Sequence, residues 1–419
     1  MGAGRVTTHQ GATAAVLDVI RACGTTSRAD LVHVTGLTGA TISTAVRRLI
    51  DDGLVIETGR AESTGGKPRV LLQLNHAARF AIGVHLDHSG IVYVLTTLGG
   101  TVIGRMSRAG AGVGNPPTVI ARMAQEVDAL IDGSGVDRDR VLGLGLVSPG
   151  PLTPAAGMRL TPPAMRQWED FPLDRAVHEA VGVPVLLDND ATAAALGEHW
   201  TGRAGPRSTF AAVYMGTGVG AGLIINGAAY GGVSGNAGEI GHMCLDPDGP
   251  ECWCGARGCT EALGGPARVV AAACDDHDLR RRAGLDGQPA ENGRAEVAGR
   301  FAAVARLALR GDTRARELLE DSARYVGLAT RALANVMDVD LVILTGPSMA
   351  VAGSVYVPVV QAELDRSFFS RSTHGVRVMV SASARTSAAI GAAAMVLQSH
   401  LVPHSHGPAL PLTTARAQL

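Results

Sequence analysis

The chain has 419 residues and a mass of 43.0 kDa, with 46% hydrophobic against 18% charged residues and a formal net charge of -1. That balance excludes a disordered or fibrous polymer, and the near-neutral charge excludes a chain that grips polyanions over its whole surface, so any basic face is local. The length exceeds one compact unit, and two or three domains are expected. No apolar leader with a cleavage pattern follows Arg5, and the apolar stretches elsewhere are broken by Gly, Pro or charge, which reads as a cytoplasmic protein without membrane spans.

Residues Ala12 to Cys23 have the pattern of a helix. Ser27 caps a second one, with Asp30 three residues on, and Gly36-Leu37-Thr38 turns the chain into a third helix from Gly39 to about Asp52. Along that helix Ile42, Val46 and Ile50 recur every four residues and are assigned to the core, leaving Thr41, Ser43, Thr44, Arg47 and Arg48 on the other sides. Leu54-Val55-Ile56 and Val70 to Leu74 read as strands joined by Thr64-Gly65-Gly66-Lys67-Pro68-Arg69, a wing. Residues 1–79 therefore read as a winged helix-turn-helix (α+β) domain. Duplex DNA takes hydroxyl and guanidinium donors at its phosphates and base edges, and Thr38, Thr41, Ser43, Thr44, Arg47, Arg48, Lys67 and Arg69 are the candidate contacts. Nine basic against six acidic residues through position 79 leave a net charge of +3, the sign a DNA face needs. A winged helix used for protein contacts is the competing reading.

From Phe80 the polarity changes. Strand Phe80 to Leu86 with hairpin partner Ile91 to Leu95, helix Val119 to Ile131, strand Val141 to Val147, helix Leu173 to Val181 and strand Val185 to Leu187 alternate as in an open α/β domain. A second run begins at Ser208 to Tyr214 and reaches strand Leu341 to Leu344. The expected organisation is a first α/β lobe over 80–198, completed by an Ala-rich helix near 386–399, a second lobe over 199–385, and a disordered tail over 400–419.

Asn189 and Asp190 follow a strand, where ligand-binding side chains leave a sheet's carboxyl edge. Asp190 suits a polyol hydroxyl, as acceptor or as the base of a phosphoryl transfer, the competing reading being a cap for helix Ala191 to His199. Glu198 reads as a surface or helix-stabilising carboxylate. Gly216 to Gly222 forms a hairpin turn, with or without a phosphate-cradling role. Beyond it, His242, Cys252, Cys254 and Cys259 complete the donor set of tetrahedral zinc; a closed set of four leaves no place for substrate, which makes the metal structural. A disulfide among the three thiols competes, Cys244 is a rival ligand, and Cys23 and Cys274 read as small buried hydrophobes. With zinc holding this loop, Glu239 accepts from sugar hydroxyls and His242 donates its remaining ring nitrogen; Glu261 has a similar place, against a helix-start cap.

The segment 188–261, with Asp188-Asn189-Asp190, Gly216-Thr217-Gly218-Val219-Gly220, Glu239-Ile240-Gly241-His242 and Cys252-Trp253-Cys254-Gly255-Ala256-Arg257-Gly258-Cys259-Thr260-Glu261, closely resembles the ROK family of repressors, open reading frames and sugar kinases. With the upstream winged helix, the resemblance covers nearly the whole chain apart from its tails. It implies a two-lobed α/β actin-like or hexokinase-like ATPase fold, structural zinc, and a sugar site of Asn189, Asp190, Glu239, His242 and Glu261. The first domain points to the transcription-regulator branch. One departure is marked: where family kinases resemble Gly-x-Asp-x-Gly-Gly-Thr, this chain has His85, Asp87, His88 and Ser89 at the key places after Gly83, removing a magnesium anchor and crowding the backbone approach to phosphate. At Gly346-Pro347-Ser348, Pro347 also removes a backbone donor where the kinases resemble a Gly-Gly turn.

The reading is a sugar-responsive DNA-binding regulator, a repressor, with sugar bound between the lobes and coupled to operator affinity. It is expected as a homodimer or homotetramer on a two-half-site operator. The alternatives are an ATP-dependent sugar kinase with a regulatory domain, in which Asp190 is the catalytic base, and a constitutive DNA-binding regulator with a vestigial cleft. No catalytic residue is expected otherwise.

Overall fold

A computed structural model describes residues 9–60, 69–112, 114–150, 152–153, 159–160, 163–169, 171–201, 208–286 and 295–401. The wing tip with Lys67 and the tail from 402 onward lie outside the described residues.

The first domain contains helices His9–Cys23, Arg28–Thr35 and Gly39–Asp51 and an antiparallel sheet in the order Thr25–Ser27, Val70–Leu74, Val55–Arg60. The capping box is reciprocal: Asp30 N donates to Ser27 Oγ at 3.4 Å, and Ser27 N donates to Asp30 Oδ2 at 3.1 Å. The core face of the third helix is Ile42, Ala45, Val46 and Leu49, while Ile50 is only half-buried. Spacing by four drifts around a helix of 3.6 residues per turn, and alternating threes and fours hold one face.

In the first lobe the sheet order is Val185–Asn189, Val141–Ser148, Phe80–Leu86, Gly90–Thr97, Val102–Ala109, with the first three strands parallel and the last two added as antiparallel hairpins. Helices Pro116–Gly133 and Leu173–Val181 cover one face. On the other lies the Ala-rich helix Ser387–Leu401, which runs two residues into the stretch expected as tail. Its small side chains have a steric cause: a Cβ at Gly83 would stand 1.8 Å from Ala389 O, so backbone meets backbone here.

The second lobe has the sheet order Ala228–Ala229, Val219–Ile225, Phe210–Met215, Leu341–Thr345, Arg377–Val380. Helices Pro266–Asp275, Ala295–Leu309, Thr313–Met337 and Met349–Ser367 pack one of its faces.

Between the lobes runs helix Asp190–Trp200, all eleven residues of which are buried. It packs on Ser387–Leu401 and, through Ala195, on Phe210, Ala212 and Ile224 of the second sheet. A buried helix has no solvent face to place a charge on, and Glu198, read as a surface or helix-stabilising carboxylate, is not at the surface: it is fully buried and accepts from Ser381 Oγ. The same apolar cluster continues from Leu196 and Trp200 into Leu17 and Ile20 of the first domain. Among the described residues no helix is long and apolar enough to cross a membrane.

Candidate functional site

Strand Val185–Asn189 delivers Asn189 and Asp190 to the carboxyl edge of the first sheet, where the interlobe helix starts. The cap is Asn189 and not Asp190: Asn189 Oδ1 accepts from Ala191 N at 2.8 Å and from Thr192 N at 3.1 Å, which leaves its Nδ2 as a donor. Asp190, the first helical residue, is buried beside it on the wall of a cleft between the lobes. A carboxylate at a helix N-terminus meets a favourable dipole. Across the cleft stand Glu239, His242 and Glu261, so all five residues singled out for a sugar line one space. Burial, followed by the charges of Asp190 and Glu261, pushes the Glu239 carboxyl up to about 7.

Glu261 is already engaged by the protein. Its Oε2 accepts from Val219 N at 3.0 Å and its Oε1 from Trp253 Nε1 at 2.9 Å, so it ties the glycine turn to the cysteine loop. The wall also contains residues that the sequence does not single out, among them Pro149, Gly150, Tyr214 and Trp253. A Cβ at Gly150 would lie 2.8 Å from Asn189 Nδ2 and 3.3 Å from Glu239 Oε1, and its signal in the sequence is a glycine closing strand Val141–Ser148. Trp253 stands edge-on to His242 with ring centroids 4.8 Å apart.

His242, Cys252, Cys254 and Cys259 bring one donor atom each within 4.8 Å of one another. His242 Nδ1 lies 3.6 Å from Cys252 Sγ, and Cys254 Sγ lies 3.7 Å from Cys259 Sγ. Tetrahedral zinc with bonds of about 2.3 Å to sulfur places its sulfurs about 3.8 Å apart, so the donor set fits that ion. With Nδ1 turned to the thiols, Nε2 is the nitrogen left for another partner. All six cysteines are free; Cys244 is exposed and outside the group, Cys23 is exposed rather than buried, and Cys274 is half-buried.

The departures from the kinase pattern gather at the 83–90 turn, whose Asp87 lines the cleft, and at the 346–348 turn. Asp87 accepts from His88 N and from Ser89 Oγ, both at 2.7 Å, and its own N–H donates to Gly90 O at 3.1 Å. The turn closes on itself. His85 Nε2 lies 3.3 Å from Asp190 Oδ2 and 3.5 Å from Tyr214 Oη. At the second turn, Gly346 has φ +100° and donates to Ala384 O, Ser348 N donates to Met215 O, and Ser348 Oγ donates to Gly216 O at 2.8 Å. With Pro347 lacking an N–H, this turn's backbone donors are absent or engaged.

In the first domain, Thr38 caps the third helix by accepting from Thr41 N at 3.3 Å, and the two hydroxyls lie 2.9 Å apart. Ser43, Thr44, Arg47 and Arg48 are exposed along one side. Arg48 lies 3.9 Å from Asp52 and Arg69 3.3 Å from Asp30, whereas Arg47 makes no ion pair among the described residues.

A winged helix-turn-helix joined to a two-lobed, hexokinase-like α/β fold is the class of protein these features define. Comparison with known families makes this specific: the ROK family model matches residues 83–399, a winged helix-turn-helix DNA-binding model matches residues 14–56, and the chain belongs to the ROK family. The xylose repressor of Caldicellulosiruptor bescii is 26% identical over 376 residues, covering 90% of this chain and 92% of its own. The glucokinase of Halalkalibacterium halodurans is 27% identical over 324 residues, covering 76% of this chain and 96% of its own. A solved ROK family transcriptional regulator, a homologue of the Escherichia coli MLC protein, shares the fold with a TM-score of 0.71 at 22% identity, covering 94% of this chain and 98% of its own. The likeness to the repressor extends over nearly the whole chain and the likeness to the kinase over three-quarters of it, so this protein resembles helix-turn-helix-bearing sugar-responsive repressors.

Proposed function

We propose that this protein is a sugar-responsive transcriptional repressor whose affinity for its DNA operator is set by a monosaccharide held between the lobes. The observation that carries the reading is the interlobe helix. At its first turn it bears Asp190, capped by Asn189, on the cleft wall; at its last residue, about 15 Å away for eleven residues, it meets the DNA-binding domain. There Arg21 Nη1 donates to Trp200 O at 2.6 Å, its guanidinium lies 4.2 Å from the indole centroid, and Asp18 Oδ1 holds the guanidinium at 2.7 Å. A ligand that draws the lobes together acts on a rod whose far end is bolted to the first domain. Coupling then requires only that the ligand prefer one placement of that domain.

Structural zinc on His242, Cys252, Cys254 and Cys259 would hold the loop that presents Glu239 and Glu261. A homodimer or homotetramer in the cytoplasm would set two recognition helices on two half-sites. The similarity to a xylose repressor makes D-xylose the first effector to try. The test is fluorescence anisotropy on DNA from upstream of the gene, with and without D-xylose and other sugars: specific binding shifted by one sugar is expected, and specific binding indifferent to every sugar would leave a constitutive DNA binder with an idle cleft. Asp190 on the cleft wall favours the second reading, a sugar kinase. It predicts ATP-dependent sugar turnover abolished by D190N; we expect none, since Asp87 and the 346–348 turn spend their polar groups internally.

A further inference from the structure

Below the cleft floor, His85 comes from the central strand of the first sheet, Asp190 from the start of the interlobe helix, and Tyr214 from the second sheet. Side-chain exposure is 7% for His85 and 10% for Asp190. His85 Nε2 lies 3.3 Å from Asp190 Oδ2 and 3.5 Å from Tyr214 Oη, with its ring edge-on to the phenol at 6.1 Å. Asp190 and Tyr214 line the cleft, whereas His85 stands behind them. Resting on the reading of this cleft as a sugar site, we propose that His85 is a positioning residue, which holds the Asp190 carboxylate toward a ligand hydroxyl and links the two lobes through Tyr214.

A buried carboxylate is costly unless charge or donors compensate it, and removing one member of a buried pair costs more than replacing both by apolar groups. An imidazolium at position 85 supplies the charge. The groups that face it are Asp190, Asp87 and Tyr214. Burial pulls the His85 pKa down, but the hydrogen bond and charge of Asp190 and the charge of Asp87 outweigh it, and the net shift is upward from 6.5. Burial, then the charges of Asp190 and Asp87, pushes Tyr214 well above 10, so it remains a neutral hydroxyl. A raised histidine contributes fully below its unfolded value and loses its contribution as pH rises through the folded one. The hold on Asp190 is therefore lost as pH rises through the folded value, and the share of sugar affinity that depends on it weakens there, on top of the titration of Glu239, which H85Q leaves in place.

Two measurements decide this. The first needs no sugar: an NMR titration of the histidine imidazoles in the wild-type chain, with H85N and H85Q to assign the signal. His85 should titrate above 6.5 and fall in D190N; a midpoint that D190N leaves in place overturns the pairing. The second is calorimetric affinity for D-xylose and D-glucose from about pH 6 to about pH 9 in wild type, H85Q, D190N and the double variant. H85Q should bind about tenfold more weakly, lose that share of the alkaline decline, and add nothing to D190N, because it acts through Asp190. Additive losses, or an H85Q that keeps the wild-type pH profile, would reduce His85 to packing and overturn the proposal. Wild type that binds neither sugar, with His85 titrating as expected, would count against those ligands and leave the pairing standing.

Discussion

The residues that line the interlobe cleft and the two turns that depart from the kinase pattern contrast in how they spend their polar groups. Among Asn189, Asp190 and Glu239, which face one another over the cleft, Asn189 keeps its Nδ2 after capping the helix, and the Glu239 carboxyl is pushed up to about 7. At the 83–90 and 346–348 turns, Asp87 closes its own turn and Ser348 locks onto the glycine turn through Gly216 O. Polar groups that point at open space suit a ligand; polar groups that satisfy one another make scaffold. On this contrast rests the proposal of a cleft that recognises a sugar without transferring phosphate to it.

The largest effect is expected from breaking the cysteine loop that adjoins Glu239 and Glu261. In C254A, metal content should fall from about one zinc per chain towards none, with the melting temperature and sugar affinity dropping together; elemental analysis, calorimetry and sugar titration check this. A variant that keeps its stability and affinity would remove the metal from the account. Next, E239Q should weaken sugar binding by about tenfold or more while sugar-free operator affinity stays at the wild-type value. If operator affinity without sugar also collapses, Glu239 belongs to the scaffold. A smaller effect is predicted at the far end of the interlobe helix: W200A should bind sugar normally yet lose about 1 kcal/mol of the sugar-induced change in operator affinity, read by anisotropy. The smallest lies on the DNA face, where R47A should lower operator affinity several-fold and the salt slope by about one. An unchanged slope would place Arg47 off the phosphates.

Much of this arrangement can be read from the chain. Ser27 with Asp30 marks a helix start, and three cysteines with His242 announce their chemistry through residue type alone. What escaped depends on contacts between distant segments. Thr25–Ser27 is a strand only because Val70–Leu74 pairs with it, and three residues have no period to detect. Glu198 is buried because its helix lies between two lobes, which its own sequence does not record. The His85–Asp190 pair spans 105 residues, and Gly83, legible as part of a phosphate loop, is spent on the backbone of the C-terminal helix. The same separation explains Glu261: its position after Cys259 suggests a ligand contact, but only the fold shows Val219 and Trp253 already donating to it.

If the cleft and the DNA-binding domain share one equilibrium, thermodynamic linkage between sugar and operator reveals it. Calorimetry would measure the affinity of the effector sugar for the free protein and for the protein saturated with operator. If sugar changes operator affinity by some factor, operator must change sugar affinity by the same factor, typically about 5- to 150-fold for coupled sites. Equal factors distinct from one are expected; a sugar affinity unmoved by operator, with both ligands demonstrably bound, would show two independent sites.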